Sequence, residues 1–158
     1  MSAPSVFDGA PLVLMGLRER YSLADLHQHI PAQWAWFGPR IVEIVGRLGD
    51  DTFGLCSEST DEAVSYFCGV RVPAGIPTPP DLVTISIPAL RYAAFPHAGP
   101  VADLSQTIVA ALGEALPAAG LTLYRAEGVP DLLERYGPDF NPQTGLGTIE
   151  IWIPVGPA

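Results

Sequence analysis

The last apolar segment of the chain, residues 148–153, combines a carboxylate with an aromatic ring. Side chains alternate between the two faces of an extended segment, so Glu150 and Trp152 share one face. The opposite face carries an apolar row suited to packing under helices, formed by Ile149, Ile151 and Ile153. A carboxylate beside aromatic rings can receive an organic cation or act as a general acid or base, because burial raises its pKa and a cation lowers it again. The alternative is that Glu150 points into water from an exposed face of the sheet.

A second carboxylate lies in residues 132–136 (LLERY). In an extended conformation Leu132, Glu134 and Tyr136 point to one side, and Arg135 points to the other. Glu134 could then line a pocket together with Tyr136, whose phenol offers a flat apolar face and a hydrogen-bonding hydroxyl. The alternative is an ordinary surface salt bridge between Glu134 and Arg135.

Aromatic residues recur near these two segments and along a candidate helix in the first half of the chain. They are Trp34, Trp36, Phe37, Tyr66, Phe67, Tyr92, Tyr136 and Trp152. Trp34 and Phe37 have the spacing of a helix face that packs on a core, whereas Trp36 lies on a different face. Trp36 is therefore the better candidate for ligand contact. Taken singly, each of these aromatic side chains is also compatible with a place in the core.

Glycine and proline divide the chain into two comparable halves, residues 11–72 and 81–155. The first half contains candidate strands at 12–17, 52–57 and 64–72. Between the first two of these, Ser22 and Asp25 have the spacing of a capping-box-like helix start. Pro31 suits a first helical position, and Pro39 should kink or split the helix. The second half contains candidate strands at 82–87, 91–96, 132–136 and 148–155, with a helix that opens at Gly99 and Pro100. Each half contains the order strand, helix, strand, strand, and the second half has one further candidate strand before it. The repeat predicts an α+β fold with antiparallel strands, helices on one face of the sheet and a ligand groove on the other.

Length and composition favour a single domain spanning residues 1–158. The sequence is 48% hydrophobic and 16% charged, which provides enough apolar surface for a hydrophobic core. No apolar run reaches the roughly 18 residues of a membrane span, and the first residues lack a basic signal region. We therefore expect a cytoplasmic protein with no membrane partner.

Charge and the available metal ligands argue against several other classes. The net charge is −9 and all 8 basic residues are arginine, so no basic patch is visible for nucleic-acid phosphates. Cys56 and Cys68 are too few for a disulfide scaffold, and we interpret them as buried free thiols. His27, His29 and His97 do not converge with other ligands at metal-binding spacing, and there is no Gly-rich phosphate loop. We expect neither a metal nor a cofactor.

Five segments, in order along the chain, resemble the GyrI-like family, also known as the effector-binding domain of AraC-type and MerR-type transcription regulators. They are residues 30–37 (IPAQWAWF), 66–70 (YFCGV), 87–100 (IPALRY through to Gly-Pro), 134–136 (ERY) and 150–155 (EIWIPV). The resemblance implies a pseudo-twofold pair of units with a ligand groove between them, and it places Glu150 in that groove. It also implies ligand contacts from aromatic residues of the matching motifs, namely Trp36, Tyr66, Tyr92, Tyr136 and Trp152. Glu134 completes this candidate site.

Three functions are compatible with this resemblance. The first is capture of a hydrophobic or cationic small molecule. The second is hydrolysis of the cyclopropane of a DNA-alkylating toxin, in which Glu150 or Glu134 would position or deprotonate water while a tyrosine hydroxyl polarises a carbonyl. The third is interaction with a protein partner, such as modulation of gyrase. Regulators of this family carry a helix-turn-helix domain that is absent from this sequence, so we expect no direct binding of nucleic acid.

Overall fold

Residues 1–156, which the computed structural model describes, adopt an α+β fold with one antiparallel sheet, and this confirms the predicted fold class. The strands are β1 (Ser5–Gly9), β2 (Leu12–Ser22), β3 (Thr52–Ser57), β4 (Ala63–Arg71), β5 (Val83–Ile87), β6 (Leu90–Pro96), β7 (Leu132–Tyr136) and β8 (Ile149–Pro154). Helix α1 (Leu26–Phe37) continues as a 3-10 segment (Gly38–Glu43). In the second half, the helical elements are a 3-10 turn (Val101–Asp103), α2 (Leu104–Ala110), a π-helical turn (Ala111–Ala115) and α3 (Leu116–Ala118).

The strand order shows a pseudo-twofold arrangement in which the two halves exchange their first strands. The order is β1-β6-β8-β7-β3-β4-β2-β5, and β3 and β7 meet at the centre. Strand β1 precedes β2 in the chain but pairs with β6, while β5 precedes β6 but pairs with β2. Each half is therefore a β-β-α-β-β unit, and each half contributes one edge strand to the other.

Two very short links force the sheet to curl. Residues 10–11 join β1 to β2, and residues 88–89 join β5 to β6, although both pairs of strands lie near opposite ends of the strand order. Such a link spans about 11 Å at most, so the two ends of the sheet must approach each other. The sheet therefore encloses one of its own faces, which we call the inner face; the face that carries the helices is the outer face.

Each face of the sheet has its own apolar core. On the outer face, the isoleucine row of β8 packs with Phe95 and with Leu104, Ala111 and Leu116 of the second-half helical elements, as the sequence predicts. On the inner face, Phe53, Phe67 and Leu133 are buried together with residues of β2, β5 and β6, with no helical residue among them. The open groove expected opposite the helices is occupied by this inner core, because the curl brings the two ends of the sheet together. No helix within residues 1–156 is long and apolar enough to cross a membrane.

Most element boundaries follow the sequence, and the departures have local causes. Strands β3 and β7 coincide with the predicted segments 52–57 and 132–136. Strand β1 is not predicted, because it is short, largely exposed and carries little hydrophobic alternation. Helix α1 begins at Leu26, so Pro31 lies inside the helix and not at its first position. The change from α-helix to 3-10 helix occurs at Gly38, beside Pro39, where a break is predicted.

The close approach of β2 to β4 at Gly16 gives a test of this fold. A Cβ at Gly16 would lie 1.9 Å from the Cys68 carbonyl oxygen and 2.6 Å from the Gly69 Cα. We expect Gly16→Ala to lower the free energy of unfolding by about 3 kcal/mol or more, since backbone must move to accept the methyl group. Gly113→Ala is the matched control, because nothing lies within 4 Å of a Cβ there. It should change stability by less than about 1 kcal/mol in urea denaturation, and equal losses in both variants would contradict the described strand packing.

Candidate functional site

A buried carboxyl group with two tyrosine hydroxyls lies on the outer face near the centre of the sheet. Glu134 is 6% exposed, and its Oε1 accepts hydrogen bonds from the hydroxyls of Tyr66 (2.7 Å) and Tyr136 (2.8 Å). The indole Nε1–H of Trp34 donates to the Tyr66 hydroxyl over 2.9 Å. The Trp34 ring also meets Tyr136 edge to face, with 5.4 Å between the ring centroids. We call Glu134, Tyr66, Tyr136 and Trp34 the Glu134 cluster.

A glycine in the intervening strand allows the carboxyl and the phenol to meet. Glu134 lies on β7 and Tyr66 on β4, and β3 runs between these strands. Gly54 of β3 stands opposite Glu134 in the register. A Cβ at Gly54 would lie 2.4 Å from the Tyr66 hydroxyl oxygen and 2.5 Å from Glu134 Oε1. The hydrogen bond across β3 therefore depends on the missing side chain at Gly54.

Helix α1 contributes Trp34 to the cluster and is held on the sheet by the buried side chain of Gln33. Its Nε2–H groups donate to the carbonyl oxygens of Leu17 (3.0 Å) and Tyr66 (3.2 Å), and its Oε1 accepts from the Tyr21 hydroxyl (2.7 Å). The helix has few other local supports. Its N-cap residue makes no side-chain capping hydrogen bond, and a proline lies in its interior, where it removes a backbone donor. The position of α1 therefore depends on Gln33 and on tertiary packing.

Burial dominates the electrostatics of the Glu134 cluster. None of the ion pairs within residues 1–156 involves Glu134, and the sequence contains no lysine. Desolvation raises the pKa of Glu134 above its ordinary value, although the two phenol hydrogen bonds and His27 act in the opposite direction. Desolvation and the nearby carboxylate raise the pKa of Tyr66 and of Tyr136 well above the ordinary phenol value. The phenols thus remain protonated donors, and the carboxyl has no ion-pair partner within residues 1–156.

The two cysteines are free thiols close to this cluster. Cys68 is buried and Cys56 is partly buried. Desolvation raises the pKa of Cys68 to about 12 and raises that of Cys56 further above its ordinary value. Both groups stay protonated and therefore poorly nucleophilic near neutral pH. This agrees with their interpretation as free thiols rather than as reactive groups.

Glu150 lies on the inner face, on the opposite side of the sheet from Glu134. Its Oε1 accepts a hydrogen bond from the Arg135 Nε–H (2.6 Å) and a longer one from the Trp152 Nε1–H (3.4 Å). The strand register pairs Arg135 with Glu150 and Glu134 with Ile151, so the two carboxylates point away from each other. The structure therefore does not place both predicted carboxylates in one groove. Glu134 is buried without an ion-pair partner among residues 1–156, and Glu150 is partly exposed in an ion pair.

The other predicted contact residues lie in three places. Tyr66 and Tyr136 belong to the Glu134 cluster. Tyr92 and Trp152 belong to the inner core, where their ring centroids are 5.5 Å apart. Trp36 lies on α1 with 46% of its surface exposed. The structure thus brings the predicted residues together in two groups on opposite faces of the sheet: Glu134 with Tyr66 and Tyr136, and Glu150 with Trp152 and Tyr92.

Three residues of the site were not predicted as site residues. Trp34 has the helical spacing of a core residue, and that spacing does not reveal that its indole N–H bonds a phenol. Gly54 interrupts an otherwise apolar strand, and a glycine inside a strand often marks a close approach of another group. Gln33 is a polar residue between two apolar helix positions. The last two signals are visible in the sequence, but neither indicates which partner the residue meets.

The chain matches one described protein family over almost its whole length. The sequence matches the family described as the GyrI-like small molecule binding domain over residues 4–156, and the chain belongs to this family. This confirms the resemblance drawn from the sequence. A curated relative, the transcriptional regulator BrlR of Pseudomonas aeruginosa, is 25% identical over 123 residues. That match covers 77% of this chain but only 44% of BrlR, so the similarity is to less than half of the regulator.

Solved structures with the same fold cover almost the whole chain. SAV2435 bound to tetraphenylphosphonium superposes with a TM-score of 0.70 at 22% identity, covering 98% of this chain and 94% of that one. A putative transcription regulation protein from Staphylococcus aureus MU50 gives a TM-score of 0.68 at 22% identity, with 98% of each chain covered. The EcmrR C-terminal domain gives 0.65 at 15% identity, with 98% and 97% covered. These structures establish the shared fold.

The buried carboxyl makes the stability of the protein depend on pH in a defined direction. The folded state holds the proton of Glu134 more tightly than the unfolded chain does, because burial raises its pKa. The wild type therefore loses stability as pH rises from the ordinary carboxyl range through this raised pKa. Glu134→Gln retains an oxygen acceptor and has no charge, so it does not share this loss.

We expect the free energy of unfolding of Glu134→Gln, relative to wild type, to increase as pH is raised from about 4 to about 9. Urea denaturation at several pH values measures this difference. Glu150→Gln is the matched control, since it removes a carboxylate that is ion-paired and partly exposed. It should not gain stability relative to wild type with rising pH. A difference between Glu134→Gln and wild type that is independent of pH would contradict the account.

Proposed function

We propose that this protein captures hydrophobic organic cations at the Glu134 cluster. The observation that carries this proposal is the buried carboxyl group of Glu134, which has two phenol partners and no ion-pair partner within residues 1–156. An opposite charge within about 4–6 Å favours the ionised form of a carboxyl group, so a bound cation would supply the missing counter-charge. The electron-rich faces of Trp34 and Tyr136 would attract the same cation.

The surroundings of the cluster favour a large apolar cation over a small hydrated one. The ring of Phe140 lies 4.8 Å from that of Tyr136, and Leu132 and Ile151 are buried on the same face. A small ion such as ammonium would lose its hydration there with few polar partners in return. An organic cation with aromatic substituents spreads its charge and buries apolar surface as it enters. The ligand class is therefore aromatic or otherwise lipophilic cations.

Access to Glu134 requires that part of α1 move. Trp34 contacts both phenols, so its indole occupies the space next to the carboxyl group. The helix carries an interior proline and no side-chain N-cap, which lowers its intrinsic stability. The free energy needed to displace α1 is therefore smaller than that needed to displace a β-strand, and a ligand that replaces the Trp34 contacts would offset part of it. This gives a route from the surface to the buried carboxyl.

Known relatives support the proposal without defining the ligand of this chain. SAV2435, which has the same fold, is described with tetraphenylphosphonium bound, and this compound is a permanently charged aromatic cation. BrlR is a transcriptional regulator, which is consistent with a sensing role for domains of this kind. Cyclopropane hydrolysis and binding to a partner such as gyrase stay predictions from the family resemblance. The engagement of Glu150 by Arg135 and the burial of Glu134 favour binding over activation of water.

Binding of tetraphenylphosphonium, measured by isothermal titration calorimetry, tests the proposed site. We expect saturable binding by the wild type and at least about tenfold weaker binding by Glu134→Gln, because the charge that attracts the cation is gone. Glu150→Gln serves as the control and should bind within about twofold of wild type. Equal loss in both variants, or loss in Glu150→Gln alone, would place the ligand elsewhere and contradict the proposal.

The same titration should depend on pH. Tetraphenylphosphonium does not titrate, and burial raises the pKa of Glu134, so binding strengthens as pH rises through that pKa and the carboxyl group ionises. Calorimetry in buffers of different ionisation enthalpy should also detect protons released on binding at the lower end of this range. Glu134→Gln should lose this pH dependence. An affinity that is independent of pH in the wild type, across the range where its stability changes with pH, would argue against direct contact with Glu134.

A further inference from the structure

A second candidate site lies on the other side of α1, between the helix and β2. It is a depression of about 440 Å³ lined by Glu19 and Tyr21 of β2, His29, Gln33 and Trp36 of α1, and Asp81 from the segment before β5. We call it the outer depression. Strand β5 pairs with β2 only as far as Gly16, so the rest of β2 has a free edge here. The depression is open to solvent, so a ligand bound there would keep part of its surface exposed.

Hydrogen bonds fix the floor of the outer depression. The Gln33 side chain is 4% exposed, donates to the Leu17 carbonyl oxygen and accepts from the Tyr21 hydroxyl. The Tyr21 ring stacks on His29, with 5.1 Å between centroids and an interplanar angle of 8°. The floor and one wall are therefore fixed before any ligand arrives. Such preorganisation lowers the entropy lost on binding.

At the rim of the outer depression, Trp36 and Asp81 already contact a planar cation of the same chain, the Arg40 guanidinium. The Arg40 guanidinium lies 4.9 Å from the centroid of the Trp36 ring. Its Nη1 and Nη2 donate to the two carboxylate oxygens of Asp81, over 2.5 and 2.9 Å. An exposed indole and a carboxylate in this arrangement form a receptor for a flat cation. Despite this contact, 46% of the Trp36 surface remains exposed.

Glu19 provides a carboxylate that Arg40 does not neutralise. None of the ion pairs found in the described part of the chain involves Glu19, although its side chain lines the depression. Its charge also contributes to raising the pKa of Tyr21, after the effect of burial, so it lies close to the aromatic wall. The depression thus combines one free negative charge with flat aromatic surfaces.

We propose that the outer depression binds a planar organic cation of the guanidinium or amidinium type, held by Glu19 and the exposed face of Trp36. Arg40 is an internal competitor for the Trp36 and Asp81 end of the site. This site is separate from the Glu134 cluster and does not depend on the proposed function. The hydrogen bonds of Gln33 connect the two sites, since its side chain contacts both the Tyr21 hydroxyl and the backbone of Tyr66.

Benzamidinium is a suitable probe, because it is planar, aromatic and positively charged near neutral pH. Titration into ¹⁵N-labelled protein, followed by the indole N–H signal of Trp36, reports on binding at this site. We expect a saturable shift in the wild type. The affinity should fall about fivefold in Glu19→Gln and about threefold or more in Trp36→Ala. Binding to Trp36→Ala is followed by the Tyr21 and His29 signals. Arg40→Ala should bind about threefold more tightly, since a competing cation is removed. Neutral benzamide should bind more weakly than benzamidinium.

Glu114→Gln, which removes an exposed carboxylate from the second-half helical elements, is the matched control, and its affinity for benzamidinium should match wild type. Trp36 and Glu19 are exposed, so their variants are expected to fold, and circular dichroism checks this. The proposal is overturned if neither wild type nor Arg40→Ala shows a saturable shift up to about 20 mM probe. It is also overturned if Glu114→Gln abolishes the shift, or if Glu19→Gln and benzamide leave the affinity unchanged.

Discussion

The curl of the sheet is the constraint on which the rest of this structure depends. Two links of two residues each, together with the exchange of β1 and β5, draw the ends of an eight-stranded sheet towards each other. The enclosed inner face can then bury Phe53, Phe67 and Leu133 without a covering helix. All helices of residues 1–156 lie on the outer face. A ligand can reach a buried group there by displacing one helix, whereas a group on the inner face is enclosed by the sheet itself. Glu134 is such a group on the outer face, because it is buried and faces α1.

In the proposed function, the Glu134 cluster lowers the stability of the unbound protein and provides the capacity to bind a cation. An apolar residue at position 134 would avoid the desolvation that raises the pKa of this carboxyl group. The two phenols and Gly54 accommodate the carboxyl group without neutralising it, since they provide hydrogen bonds and space but no positive charge. A cation from outside would complete the arrangement. Buried polar groups that are incompletely satisfied are often functional, and strain of this kind is offset by the surrounding packing.

Sequence patterns predicted the elements, the co-facing pairs and the face of β8 that meets the helices, but not that the Glu134 and Tyr136 pair of β7 lies on that same face. Alternation correctly grouped Glu134 with Tyr136 and Glu150 with Trp152, and it placed the isoleucine row of β8 under the helices. The pairing of β7 with β8 then decides that Glu134 joins the isoleucine row and Glu150 the inner core. This register depends on long-range contacts, which periodicity within one strand does not contain. The sequence also does not predict the curl, because the curl depends on the short link from β1 to β2, and the exposed β1 carries little hydrophobic signal.

The most direct test of the central claim is a crystal structure of the protein with tetraphenylphosphonium. We predict that the phosphorus atom lies on the outer face of the sheet, within about 6 Å of the Glu134 carboxylate, with the Trp34 indole displaced from Tyr66. Tyr66 and Tyr136 should still hydrogen-bond the carboxylate. A cation seated on the inner face beside Glu150, or confined to the outer depression with Trp34 in its present place, would contradict the account.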